Sequence, residues 1–226
     1  MSSQQAAPAR PSSDRRSSAI QKRQSILPKP SSIVLDPTVL IAQHAQLTGT
    51  QPITVGPNTV LHPHSRISSN IAPVVIGEGV VIYERAKVGI GMGDGGDASS
   101  RRSSVSSARD SMRSGRGDGT VLGRNVVIET GAVIEAAEIG EGSLVEAAAV
   151  LGRGCIVGKF CTITPCTIIP PNSNIPDYTV VYSGFERRID KTLQSRPEVQ
   201  QMRTLMHEKQ LEVFKKLLPN NLAKWT

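Results

Sequence analysis

An aliphatic residue returns at every sixth position through most of this 226-residue chain, and so strict a short period confines a polypeptide to a stacked, repetitive architecture. The leading positions are Leu35, Ile41, Leu47, Val55, Leu61, Ile67, Ile76, Ile82, Val88, Leu122, Ile128 and Ile134, then without a break Ile139, Val145, Leu151, Val157, Ile163, Ile169, Ile175 and Val181. The frame shifts after Leu47, Ile67, Val88 and Ile134. The fifth position of each hexad gives an independent check: Val39, Ala45, Thr59, Ser65, Val80, Ala86, Val126, Ala132, Ser143, Ala149, Cys155, Cys161, Thr167, Ser173 and Thr179 are all small or β-branched. Only Gln51, Ile71 and Glu138 depart, each beside a shift of frame.

Six residues make a short strand of period-2 alternation and a corner, so three hexads close a triangular coil of about eighteen residues. The lead and fifth residues point inward. Gly follows the lead at Gly56, Gly77, Gly123, Gly140, Gly152 and Gly158, and Asn58, Asn125 and Asn172 occupy the fourth position, where corners accept left-handed backbone. The expected fold is all-β, a parallel coil of six to seven turns. Such a prism fills its narrow interior with Ile, Val, Leu and Ala, which accounts for an aromatic content of only 3%.

Two segments do not follow the period. Residues 1–31 are rich in Ser, Gln, Pro and Arg, and residues 89–120 in Ser, Gly and Arg; both compositions bury too little apolar surface to offset the entropy of ordering. The expected organisation is a disordered basic tail over 1–31, a prism over 32–183 interrupted by a flexible insertion at 89–120, and a carboxy-terminal segment over 184–226. The net charge of +7 resides mainly in the tail and the carboxy-terminal segment; residues 91–120 carry five basic and four acidic residues, and the remaining body six basic and nine acidic. A basic tail on an acidic body, without stacking aromatics, argues against nucleic-acid binding. No apolar run reaches the ~20 residues of a membrane span, and the first residues lack a signal peptide's apolar stretch. Three clustered cysteines, Cys155, Cys161 and Cys166, suit free thiols in a reducing compartment.

After Val181 the period changes. Ser195 as N-cap, Pro197 in the first turn and Pro219 as a stop predict a helix over about 196–218. Val199, Met202, Leu205, Met206, Val213, Phe214, Leu217 and Leu218 supply an apolar face expected to pack along the prism. Arg203, Glu208, Lys209, Glu212, Lys215 and Lys216 are expected to face solvent.

The hexads Val55-Gly-Pro-Asn-Thr-Val, Leu61-His-Pro-His-Ser-Arg and Ile76-Gly-Glu-Gly-Val-Val resemble the left-handed parallel β-helix, hexapeptide-repeat superfamily, which includes acyltransferases, γ-class carbonic anhydrases and non-catalytic members. Leu122-Gly-Arg-Asn, Ile128-Glu-Thr-Gly, the run from Ile175 to Tyr182 with Arg187-Arg188, and the terminal Leu217-Leu218-Pro219-Asn220 are similar to the β-helix subunits of dynactin. That resemblance implies left-handed coiling and a non-catalytic structural role, with no cofactor. It also implies pairing with dynactin subunit 5, neighbours in dynactin subunit 4 and the pointed-end actin-related protein, a cytoplasmic and cytoskeleton-associated location, and support of dynein-driven transport along microtubules. The expectation is that the chain is not an enzyme and binds neither metal nor nucleic acid. The alternative is a hexapeptide-repeat acyltransferase or γ-class carbonic anhydrase-like enzyme.

Histidines carry the enzyme alternative. His44 and His64 fall at equivalent corners of neighbouring coils with His62 nearby, and three imidazoles in one region are the minimum for a zinc site. The spacing His62-Pro63-His64 does not match the family's ligand pattern, and surface histidines are the plainer expectation. Tyr83, Glu129 and Glu146 each follow a second-hexad lead and should stack up one face. They, with Met202, Met206 and Phe214 on the helix, are the candidate partner contacts. Ser25 and Ser104 follow paired basic residues, the pattern basophilic kinases prefer, and phosphate there would add nearly two negative charges to an Arg-rich segment. Phosphopeptide mapping of the protein from growing cells should recover one of these two serines; repeated coverage of both without modification would remove the proposal.

Overall fold

The computed structural model describes residues 32–91, 119–182 and 186–225; Ser25, Ser104, the 1–31 tail and residues 92–118 of the insertion lie outside the described residues. Twenty short parallel strands form the three faces of a prism. Sheet A stacks Ile33–Leu35 (β1), Ile53–Val55 (β4), Val74–Ile76 (β7), Thr120–Leu122 (β10), Glu138–Ile139 (β13), Ile156–Val157 (β16) and Asn174–Ile175 (β19). Sheet B stacks Leu40–Ile41 (β2), Val60–Leu61 (β5), Val81–Ile82 (β8), Val127–Ile128 (β11), Leu144–Val145 (β14), Thr162–Ile163 (β17) and Thr179–Tyr182 (β20). Sheet C stacks Gln46–Gly49 (β3), Arg66–Ser69 (β6), Lys87–Val88 (β9), Val133–Ile134 (β12), Val150–Leu151 (β15) and Ile168–Ile169 (β18). The fold is a parallel β-solenoid of about six turns with a carboxy-terminal helix.

The predicted period sets the interior. Nineteen of the twenty leads are buried, most of them completely, and Leu35 in the first coil is half-buried. The small fifth residues fill the space between leads, Cys155 and Cys161 among them, while Cys166 is exposed at a corner. The insertion leaves the register intact, because Val74 pairs with Thr120 and Val81 with Val127 directly across it.

Corners divide their work between two positions. The fourth residue of a hexad takes left-handed backbone, at Asn58, Asn125 and Asn172 as expected, and also at His44, His64, Arg85, Ala148, Phe160, Cys166 and Tyr178. The glycines that follow the leads serve a different need. A Cβ on Gly140 would lie 2.5 Å from the backbone carbon of Gly158 in the next coil, so the coils approach too closely there for any side chain.

Past the prism the chain departs from its predicted course. Tyr182 ends β20, and Glu186–Ile189 (β21) returns antiparallel to it, covering that edge of sheet B. Ser195 is not a helix start. It ends a short helix, Lys191–Ser195 (α1), capped by Asp190, and its hydroxyl donates back to the Lys191 carbonyl at 2.6 Å. Arg196 takes the N-cap position of the long helix, Pro197–Leu217 (α2), with Pro197 in its first turn. At 1.5 Å per residue α2 is ~31 Å long, close to six steps of one strand spacing. It therefore runs back along sheet B to the first coil.

The helix is rotated from its expected orientation. His207 and Leu211 are buried and Arg203, Thr204, Phe214 and Leu218 half-buried, whereas Met202, Leu205, Met206, Val213 and Leu217 lie outside. Sheet B explains this. Its outer surface offers a small apolar patch, Leu40, Val60 and Val81, which Leu211, Phe214 and Leu218 are enough to cover. Around that patch stand polar groups, the Gly79 carbonyl, the Tyr83 hydroxyl and the Asn58 amide, which require polar helix residues.

Both ends of the prism are finished. At the first coil the Asn220 side chain accepts from the Ile41 N–H and donates to the Val39 carbonyl, the Asn221 N–H donates to the Ile41 carbonyl, and Leu222 and Trp225 pack beneath the core. At the other end β21 covers sheet B, and Pro165, Pro170, Pro171 and Pro176 populate the last coil. Proline removes donors that another strand would need. Replacing Gly140 with Ala should destabilise the protein by about 1–3 kcal/mol through overpacking between coils; urea unfolding curves that superimpose on those of the parent would refute the close-approach account.

Candidate functional site: the seam between sheet B and α2

One residue follows each lead on sheet B, so His62, Tyr83, Glu129, Glu146 and Thr164 form a column across consecutive coils. Helix α2 lies along this column. The upper part is aromatic: the His62 ring stacks on Tyr83 with centroids 4.5 Å apart, and Phe214 of α2 meets His62 edge-on at 4.8 Å and Tyr83 at 6.0 Å. His62 is only 5% exposed. Its Nδ1 lies 3.3 Å from a Glu84 carboxylate oxygen, and its buried Nε2 has no hydrogen-bond partner among the described residues. Burial holds this imidazole below its ordinary pKa, against the upward pull of Glu84.

Further along, Gln210 donates to the Tyr83 hydroxyl at 2.6 Å, and His207 Nε2 donates to the Gly79 carbonyl at 2.6 Å, which fixes that tautomer. Glu129 accepts from the Ala147 N–H at 3.1 Å. Burial and neighbouring Glu129 push the Glu146 carboxyl upward, while Arg203 pulls it down. Burial lowers the Arg203 pKa, opposed by Asp190 and Glu146. Between the column and α2 a cleft of ≈ 290 Å³ is lined by Tyr83, Glu129, Phe160, Arg203, Met206 and His207 among others. That is at the small end of the ~300–1,000 Å³ typical of ligand sites.

The predicted site residues are thereby separated into two groups. Tyr83, Glu129, Glu146 and Phe214 are engaged within the chain, by α2 or by the next coil, while Met202 is exposed on the far side of the helix and Met206, also exposed, borders the cleft. The histidines divide too. His44 and His64 stack at neighbouring corners with centroids 5.1 Å apart and rings nearly parallel, but His62 turns under α2 and is buried, contrary to its expected exposure. Among the described residues no group of three or more His, Cys, Asp or Glu side chains converges as a metal site would. Also among the described residues, no helix is long and apolar enough to cross a membrane. His207, Arg203 and Gln210 were not anticipated as contacts. The signal for them lay in sheet B, whose outward row Leu40, Val60, Val81, Val127 and Leu144 is apolar where that of sheet C begins Gln46, Arg66, Lys87.

No protein-family model matches the chain. Over 55 residues it is 34% identical to Dynactin subunit 6 of Xenopus tropicalis, a match that spans 24% of this chain and 26% of that relative's length. In structure it resembles a hexapeptide transferase family protein from Anaplasma phagocytophilum, with a TM-score of 0.58 and 15% identity, over 84% of this chain and 95% of the other. A Bacillus cereus protein provisionally assigned as an acetyltransferase aligns over 84% and 96% of the two chains with a TM-score of 0.45 and 16% identity. The likeness to the first structure establishes the hexapeptide-repeat, left-handed β-helix fold. It also overturns one expectation. The chain was expected not to be an enzyme, yet the solved structure that establishes its fold is a hexapeptide transferase family protein, and the exclusion of catalysis is withdrawn.

Because His62 titrates below its unfolded value, the unfolded chain binds the proton more readily, and stability falls as pH drops through the window beneath about 6.5. His62→Gln should flatten the dependence of the urea midpoint on pH between about 7 and 5. An unchanged slope would show that other groups set it.

Proposed function

We propose that this chain is an assembly subunit of the dynactin subunit 6 kind, acting in the cytoplasm on the cytoskeletal dynactin complex in support of dynein-driven transport. The observation that carries the reading is the 34% identity to Dynactin subunit 6 over 55 residues, which span 24% of this chain. The geometry agrees with life in an assembly. On sheet A the outward residues Val34, Val75 and Val121 are 58%, 42% and 43% exposed and, with Thr54, lie in one register across consecutive coils. A flat row of β-branched side chains of this kind is suited to covering by a protein partner. Dynactin subunit 5 is the proposed partner, with dynactin subunit 4 and the pointed-end actin-related protein as neighbours.

Acyl transfer is the competing reading, and the fold comparison favours it, since the likeness covers 95% of a hexapeptide transferase family protein. On that reading the seam beside α2, with Glu129, Arg203 and His207, is the place to look for substrate.

One purification separates the two. The tagged protein, expressed at its native level and recovered from cell extract, should bring other dynactin subunits with it, and Val75→Lys with Val121→Lys should release subunit 5 by ~10-fold or more if that row is central to the contact. A homo-oligomer that recovers no dynactin subunit and turns over an acyl thioester would replace this reading with the second.

A further inference from the structure

Helix α2 has two faces and the prism uses only one. Met202, Leu205, Met206, Val213 and Leu217 are 56%, 50%, 67%, 49% and 72% exposed. At 100° per residue these five fall within an arc of ~120° whose centre is opposite Thr204, Leu211 and Leu218, and whose edge at Met206 and Leu217 borders the docked Arg203 and Gln210. They form one stripe along nearly the whole helix. A stripe this apolar on a surface helix marks a contact that the described residues do not make.

What covers it follows from two lysines. Lys209 and Lys216 lie inside the same arc, seven residues apart, and so ~10.5 Å along the axis; the one carboxylate in that arc, Glu198, sits ~16.5 Å before Lys209 in the first turn. Lys209 is tied only to Glu212, by an exposed pair at 3.2 Å of the kind that is worth little. Lys216 is exposed and has no carboxylate partner among the described residues.

A second copy of this chain is a poor occupant. The positions Met202 and Leu217, and Met206 and Val213, are symmetric about the point between residues 209 and 210, so a twofold antiparallel pairing that matches apolar to apolar brings Lys209 against Lys209. In-register parallel pairing does the same. Like charges at the centre of an interface oppose association.

We propose that the outer stripe of α2 is the docking surface for an acidic amphipathic helix of another polypeptide. That helix presents its own apolar stripe to Met202, Met206, Val213 and Leu217, with carboxylates two turns apart opposite Lys209 and Lys216. Helix against helix at this spacing buries both stripes and replaces the weak internal pair of Lys209 with one shielded from solvent. The inference does not depend on the assignment to dynactin, because it rests on α2 and not on sheet A.

Zero-length carbodiimide coupling tests it, since the reagent joins a lysine amine to a carboxylate only when the two are in contact. Applied to the protein with its co-purifying partners, followed by mass spectrometry, it should link Lys209 and Lys216 to Asp or Glu residues seven positions apart in one segment of a different polypeptide. Met206→Glu with Val213→Glu should abolish both links and lower recovery of that polypeptide by ~10-fold or more. These are exposed positions, so the thermal midpoint of the variant should match that of the parent. Lys209→Glu with Lys216→Glu should weaken recovery without touching the apolar stripe. Links from Lys209 to the same chain in a covalent dimer would overturn the proposal in favour of a second copy. Sedimentation with phosphatidylserine vesicles that is lost on Met206→Glu would overturn it in favour of a membrane surface, and unchanged recovery of every partner by both double variants would overturn it outright. Release of subunit 5 by the sheet A variant, with no effect of the α2 variants, leaves the dynactin reading standing and removes this one; a linked partner foreign to dynactin does the reverse.

Discussion

Everything in this protein depends on one coil hydrogen-bonding to the next at a single strand spacing. Gly56 donates to Ile76, Gly77 to Leu122, Gly123 to Ile139, Gly140 to Val157 and Gly158 to Ile175, each at 2.8–2.9 Å, so one corner alone makes an unbroken ladder from the second coil to the last. At that separation every inward side chain rests on an equivalent one above and below it. Branched aliphatic residues satisfy the constraint, and rings do not fit. Among the described residues the aromatics accordingly stand outside the coils or, as Trp225, beneath the first one, and Phe160 and Tyr178 stack at neighbouring corners with centroids 5.8 Å apart.

A prism of this kind is complete in its backbone, which leaves its outer faces free to differ. Sheet A keeps an apolar row uncovered, sheet C carries Arg66 and Lys87 before turning apolar at Val133 and Val150, and sheet B is occupied by the chain's own helix. The helix is held largely through directional polar contacts: His207 to a turn carbonyl, Gln210 to a phenol, Lys215 to an asparagine at a corner. Apolar residues that another helix would have used for docking are thereby available for other surfaces. The same arrangement buries His62, whose Nδ1 has Glu84 but whose Nε2 has no partner among the described residues.

Most of the architecture was legible from residue spacing because each lead, Ile41 through Val181, answers to the same constraint, and a violation at one position would disturb two coils. The register across the insertion was legible for the same reason: Ile76 and Leu122 both had to be leads. The orientation of α2 was not. Apolar periodicity in the helix reports that some face is to be covered, not by what, and docking was decided by polar groups on neighbouring coils of sheet B, Asn58 on one and Gly79 and Tyr83 on the next. Tyr83 and Glu129 could be placed in one column from the hexads, but their engagement from within the chain required knowing where α2 lies. His62 was misplaced because a residue just past a lead ordinarily faces water, and here a helix lies on top of it. The glycines after the leads were visible as a pattern; the close approach that demands them is a property of neighbouring coils and cannot be seen in one hexad.

The cap on the first coil joins the two extremes of the described chain: Asn220 satisfies Ile41 from 179 residues further on. Synthesis runs in one direction, and each new coil finds its predecessor waiting as it leaves the ribosome. The lower edge of the first coil has no such predecessor. At about 5–20 residues per second it waits roughly ten to forty seconds for Asn220, Leu222 and Trp225 to be made. Through that interval the growing solenoid is a sheet with an open border, able to recruit the border of a neighbouring nascent chain. The tail is thus a lock that closes last, and crowded polysomes are where its lateness matters most.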